Sequence, residues 1–118
     1  MRDVIIYGCG GVGRMIEQIV LDINAAVPQW HLLGFIDDDE STHGTHIGDL
    51  TVLGGIEVLE RHPHASVVLG FARPQQKQAL IKRLESRGVD PIATLVHPRA
   101  WVSRRVTVGR GCVLYPGV

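Results

Sequence analysis

The run Val4-Ile5-Ile6-Tyr7 is β-branched and aromatic and stops abruptly at Gly8-Cys9-Gly10-Gly11-Val12-Gly13, the pattern of a buried strand entering a tight turn. Met15, Ile16, Ile19, Val20 and Ile23 then recur at three- and four-residue spacing, which predicts a helix from Arg14 to about Asn24 with one apolar face. His31 to Ile36 reads as a second buried strand, closed by Asp37-Asp38-Asp39. A polar, glycine-containing loop from Glu40 to Asp49 leads to a short strand, Leu50 to Leu53, and Gly54-Gly55 opens a brief helix from Ile56 to Arg61. Ala65 to Phe71 is a further strand. Gln75 to Arg87 carries Ala79, Leu80 and Leu84 on a helical stripe, with Gly88 placed to end it, and Ile92 to Val96 is one more strand. Strands alternating with helices at this spacing predict an α/β fold over about residues 1–97, a Rossmann-like parallel sheet with helices on both faces.

After His97-Pro98 the pattern changes. Val102, Val108 and Leu114 are six residues apart, and Val106, Cys112 and Val118 follow each of them by four. This is a hexapeptide repeat, with Gly109, Gly111 and Gly117 at its turns. It predicts the first coil of a left-handed parallel β-helix over residues 98–118, three six-residue strands making one triangular coil. One coil cannot bury its own stacking faces, so a second domain is expected here only in part.

Composition narrows the partners. The 118 residues carry 12 Lys+Arg and 12 Asp+Glu, a net charge of zero, so there is no basic field to hold a nucleic acid by counterion release. No apolar run approaches the roughly 20 residues that span a bilayer, and Met1 leads directly into a strand. A soluble, cytoplasmic chain that binds neither nucleic acid nor membrane is expected. Cys9 and Cys112 fit neither a disulfide framework nor a zinc spacing and are expected as reduced thiols.

Gly8, Gly10 and Gly13 fit G-x-G-x-x-G between a predicted strand and a predicted helix, so backbone N–H groups at a helix N-terminus could cradle a phosphate or pyrophosphate. Asp37 lies 24 residues past Gly13, at the end of the second strand, where a carboxylate meets a ribose hydroxyl or a base N–H. The alternative is that the glycines only permit the turn and the aspartates are solvated loop charges. Among the six histidines, His43 and His46 fall in the loop, His62 and His64 flank Pro63, and none has a partner at metal-ligand spacing; no metal site is expected. His31 and His97 are expected to close local hydrogen bonds, Cys9 to be a small structural side chain, and Trp30 and Trp101 to pack.

Four features in order, Val4 to Gly13, Gly34-Phe35-Ile36-Asp37-Asp38-Asp39, Val52-Leu53-Gly54-Gly55 and His97-Pro98-Arg99-Ala100-Trp101-Val102-Ser103 running into hexapeptides, make the chain resemble the bacterial sugar acetyltransferases of the sialic-acid O-acetyltransferase (NeuD) and UDP-4-amino-sugar N-acetyltransferase (PglD) type. The resemblance implies a Rossmann-like acceptor domain in which Gly8, Gly10, Gly11, Val12 and Gly13 approach the phosphates of a UDP-sugar or related nucleotide sugar, and Asp37 and Asp38 meet the uridine. It also implies a β-helix homotrimer in the full-length enzyme that binds acetyl-CoA and supplies a His general base, a base that would lie beyond Val118. On this reading the 118 residues hold no catalytic residue and no cofactor, form no stable trimer and are inactive alone. Two positions depart from the family pattern: Val12 stands where the turn usually has His, and Gln75 stands where an Arg commonly follows the fourth strand. Two other readings stay open, an NAD(P)-binding domain of redox or regulatory role and an assembly domain with a degenerate ligand site.

Overall fold

The computed structural model describes residues 1–89, 93–100 and 113–114. Its centre is a five-stranded sheet. β1 (Arg2–Tyr7) pairs in parallel with β2 (Trp30–Ile36) on one side and β5 (Ser66–Leu69) on the other, and β2 pairs in parallel with β4 (Leu50–Gly54). At the outer edge, β3 (His46–Ile47) runs antiparallel to β4, giving the order β3-β4-β2-β1-β5. Leaving out the short hairpin strand, the parallel strands follow the doubly wound order, which reverses direction between β1 and β5.

The alternation within β1 explains the layers. Val4 and Ile6 point to one face, where they meet Ile16, Ile19, Val20 and Ile23 of α1 (Gly11–Ala26). Ile5 and Tyr7 point to the other, against Leu80 and Leu84 of α2 (Pro74–Ser86) and Val58 and Leu59 of a 3-10 helix, Ile56–Arg61. Val4, Ile5, Ile6 and Tyr7 are all fully buried, and burying an aliphatic side chain such as the first three contributes about 1.5 to 3 kcal/mol. Helices on both faces of a largely parallel sheet are the architecture expected from the sequence.

The differences are local. α1 starts at Gly11 rather than Arg14, and its buried face leaves out Met15, which stands 55% exposed. Ala79 is likewise exposed on α2. The loop after β2 holds a 3-10 turn, Glu40–Thr42, and the strand β3, neither of which its polar composition predicts. Gly88 ends α2 as expected, with Val89 N–H bonded to the Leu84 carbonyl.

The Ala93 N–H bonds to the Val67 carbonyl on the edge of β5 away from β1, and β6 (Leu95–Val96) then pairs in parallel with β7 (Val113–Leu114). The register joins Leu95 to Val113 and Val96 to Leu114, an offset of 113 − 95 = 18 residues, or three hexapeptides. Leu95 is itself buried in the core beneath α1. Ile92, Trp101 and the hexapeptide positions Val102, Val106, Val108, Cys112 and Val118 lie outside the described residues.

Candidate functional site

The C-terminal ends of β1, β2 and β4 come together at one rim of the sheet, where open α/β sheets place their ligands. β1 delivers the chain into the glycine turn. Gly8 has φ +114°, which an L side chain resists, and its N–H bonds to the Ile36 carbonyl at 2.7 Å. Gly13 sits so close beneath it that a Cβ there would lie 2.0 Å from the Gly8 carbonyl oxygen. Gly10 and Gly11 are different: both are exposed, and a Cβ on either would meet nothing within 4 Å. Gly10 occupies the N-cap of α1, and no side chain caps the first turn. The first N–H groups of that helix have no acceptor within the helix, and they lie beside the open space at Gly10 and Gly11, with the positive end of the helix dipole behind them. Val12, at the position where the family turn has His, is half-buried and packs against the core under α1.

The two aspartates divide the work. Asp37 turns back into its own chain: one carboxylate oxygen accepts the Cys9 N–H at 3.0 Å and the Cys9 thiol at 3.3 Å, and the other accepts the Asp39 N–H at 2.9 Å. It ties the glycine turn to the β2 loop. Cys9 is buried there, and burial followed by the Asp37 carboxylate pushes its thiol pKa up, so it stays a thiol. Asp38 turns outward. Its carboxylate accepts the Tyr7 hydroxyl at 2.5 Å and the Arg83 guanidinium at 3.0 Å, and Arg83 also donates to the Tyr7 oxygen at 3.2 Å. Burial, then the bond to Asp38, raise the Tyr7 phenol pKa well above its ordinary value, so it is a permanent donor to Asp38.

Beside this trio lies an open cleft of about 720 Å³ lined by Asp38, Glu40, His43, Gly55, Ile56, Glu57 and Arg83. The His43 ring meets the Asp37 carbonyl at 2.7 Å and is held in place rather than loose in its loop. Glu57 accepts the Gly55 N–H at 3.1 Å, and its own and the Gly55 N–H groups hold its carboxyl below the usual carboxylate range. The structure thus brings Gly8, Gly10, Gly11, Gly13, Asp37 and Asp38 to one rim. It adds Tyr7, Glu40, His43, Glu57 and Arg83, which the sequence does not single out. Arg83 is 76 positions from Tyr7 and 45 from Asp38, and no local pattern links them.

The remaining candidates lie elsewhere. His97 is buried at the junction: its Nδ1 accepts the Arg99 N–H at 3.0 Å, so Nε2 carries the proton and donates to Asp22 of α1 at 2.7 Å. His31 is exposed and pairs with Asp3. Trp30 is buried under α1, and Arg2 stacks on its ring at 4.7 Å. Among the described residues no group of His, Cys, Asp and Glu could hold a metal ion, and no helix is long and apolar enough to cross a membrane.

The family model for the PglD N-terminal domain matches residues 3–84, or 82 of the 118 residues. The chain belongs to the PglD N-terminal domain family. No curated protein sequence matches it. Among solved structures, the chain resembles the acetyltransferase domain of PglB from Neisseria gonorrhoeae in complex with acetyl coenzyme A, at 20% identity and a TM-score of 0.75, over 98% of this chain and 53% of that one. It also resembles a mutant of perosamine N-acetyltransferase from Caulobacter crescentus in complex with CoA and GDP-perosamine, at 19% identity and a TM-score of 0.80, over 98% and 52% of the two chains. UDP-D-quinovosamine 4-dehydrogenase from Vibrio fischeri aligns over 72% of this chain and 70% of its own at 26% identity, with a TM-score of 0.54. The chain spans about half the length of the two acetyltransferase chains. As a PglD N-terminal domain, it carries its polar groups where the doubly wound sheet opens.

Proposed function

We propose that this chain is the acceptor-binding domain of a cytoplasmic sugar acetyltransferase and that it holds a keto-base nucleotide sugar, uridine- or guanosine-linked, across the rim of the sheet. The observation that carries this reading is the uncapped, open N-terminus of α1 directly beside the polar cleft past β2 and β4. The diphosphate accepts hydrogen bonds from the N–H groups of the Gly10–Gly13 turn, where the helix dipole favours negative charge. The base and ribose extend into the cleft past Asp38, and the sugar projects away from it. Of the two aspartates, Asp38 faces the ligand and Asp37 shapes the turn.

In the whole enzyme, a general base removes a proton from the sugar amine or hydroxyl as that group attacks the acetyl thioester. A C–N or C–O bond forms, the C–S bond breaks and CoA leaves as its thiol. Acetyl-CoA and the base belong, on this reading, to a trimeric β-helix, and the 118-residue chain binds acceptor without transferring acetyl. The 18-residue register offset between β6 and β7 supports a first β-helix coil that grows out of the α/β core from Leu95 onward.

The dinucleotide reading has less support. An NAD ribose asks for a carboxylate that faces the ligand at the end of β2, and the Asp37 carboxylate turns back onto the Cys9 N–H, the Cys9 thiol and the Asp39 N–H of its own chain. Calorimetric titration with GDP, UDP, a UDP-amino sugar, NAD and CoA tests the proposal: a nucleoside diphosphate is expected to bind and NAD and CoA are not. Binding of NAD with no response to any nucleoside diphosphate overturns it.

A further inference from the structure

We infer that the cleft selects guanine over uracil, so that the acceptor is a GDP-linked sugar; this rests on the nucleotide-sugar reading above and narrows it. Three side chains stand along the rim in the order of the strands beneath them. Arg83 sits over the Tyr7 hydroxyl at the end of β1, Asp38 follows β2, and Glu57 follows β4. β1, β2 and β4 are neighbours in the sheet, the Arg83 guanidinium and the Asp38 carboxylate meet at 3.0 Å, and Glu57 lines the same cleft, so the wall offers a donor, then an acceptor, then an acceptor.

Each group has capacity left for a ligand. Arg83 uses one amino nitrogen on Tyr7 and Asp38, and a guanidinium carries five N–H donors. Asp38 accepts one side-chain bond at each oxygen, and a carboxylate oxygen has two lone pairs. Glu57 accepts the Gly55 N–H at Oε1, and Glu40 adds a further carboxylate to the cleft.

The pairing edge of guanine presents O6 as acceptor, N1–H as donor and the 2-amino group as donor. That sequence complements the wall at all three positions. Uracil presents O4, N3–H and O2; the first two match, but O2 would set its lone pairs against the Glu57 carboxylate. Adenine and cytosine put an amino group toward Arg83 and an unprotonated ring nitrogen toward Asp38, and so fail at the first two positions. Guanine and uracil are thus separated at the third position, by Glu57. A site that leaves one polar partner opposed or unpaired discriminates strongly.

Titration of the 118-residue chain with GDP, IDP and UDP tests this. IDP keeps O6 and N1–H but lacks the 2-amino group. GDP is expected to bind at least about tenfold more tightly than UDP, with IDP between them. Glu57→Gln retains an oxygen for the Gly55 N–H and offers an amide donor to uracil O2, so it is expected to bring the GDP-to-UDP ratio close to one while the fold persists. UDP binding as tightly as GDP in the wild-type chain, or an unchanged ratio in Glu57→Gln, overturns the base assignment and leaves the nucleotide-sugar reading standing. If none of the three nucleotides binds, that reading fails and this inference falls with it.

Discussion

The two ends of α1 are built on opposite plans. At its C-terminal half the polar side chains are matched within the chain. Asn24 accepts the N–H groups of Gln29 and Trp30 and donates to the Trp30 carbonyl, while Asp22 takes bonds from Gln18 and His97. At its N-terminus, Gly10 and Gly11 stand in open space with no capping side chain. An end closed by its own side chains holds the fold; an end whose donors are left facing outward is available to a ligand. The contrast is sharpest within one turn, because Gly13, two residues from the open Gly11, is packed backbone to backbone against Gly8. The glycines of one motif therefore serve two purposes, close packing at Gly13 and open approach at Gly10 and Gly11.

The most severe way to break this contrast is Gly13→Ala. The added carbon would lie 2.0 Å from the Gly8 carbonyl oxygen, so the turn has to open, and a loss of about 3 kcal/mol or more is expected. Chemical denaturation measures it, and a variant as stable as wild type refutes the packing role. Asn24→Ala should come next, at about 2 kcal/mol, since it removes the partner of two backbone N–H groups and one carbonyl. Its nucleotide affinity should be unchanged; a parallel loss of binding would blur the division between the two ends.

Gly11→Leu probes the open end. Its side chain has room in the folded protein, so the melting temperature should stay close to wild type, while nucleotide affinity falls about tenfold, or 1.4 kcal/mol. A folded variant with undiminished affinity places the phosphates somewhere else. The smallest effect concerns pH. The His97 bond, and after it the Gln18 bond, hold the Asp22 carboxyl below its ordinary pKa. Its contribution is therefore present above the unfolded value near 4 and is lost as pH falls through the lower folded value. The acid limb of a stability-versus-pH curve should be shallower in Asp22→Asn than in wild type, and identical limbs would show that Asp22 contributes nothing there.

What local pattern could determine, it did. The alternation of Val4, Ile5, Ile6 and Tyr7 between two apolar faces requires a strand covered on both sides, and the three- and four-residue spacing of Ile16, Ile19, Val20 and Ile23 requires a helix on one of them. The 3-10 helix after Gly54-Gly55, Ile56–Arg61, is legible residue for residue. These features depend on neighbours a few positions away, so sequence spacing carries them. The polar segment after Asp39 was opaque because β3 exists only by pairing with β4, and an edge hairpin strand of two residues leaves no periodicity.

The division of labour between Asp37 and Asp38 was also beyond the sequence. Adjacent aspartates at a strand end look alike until the fold decides which one meets the Cys9 N–H and which meets Tyr7 and Arg83. The same holds for Asp22 and His97, 75 positions apart. Local side-chain partition between water and core sets the elements and the turn glycines. The order in which those strands lie side by side sets the long-range polar pairs, and that order is decided by how the two helical layers pack, which only the tertiary structure contains.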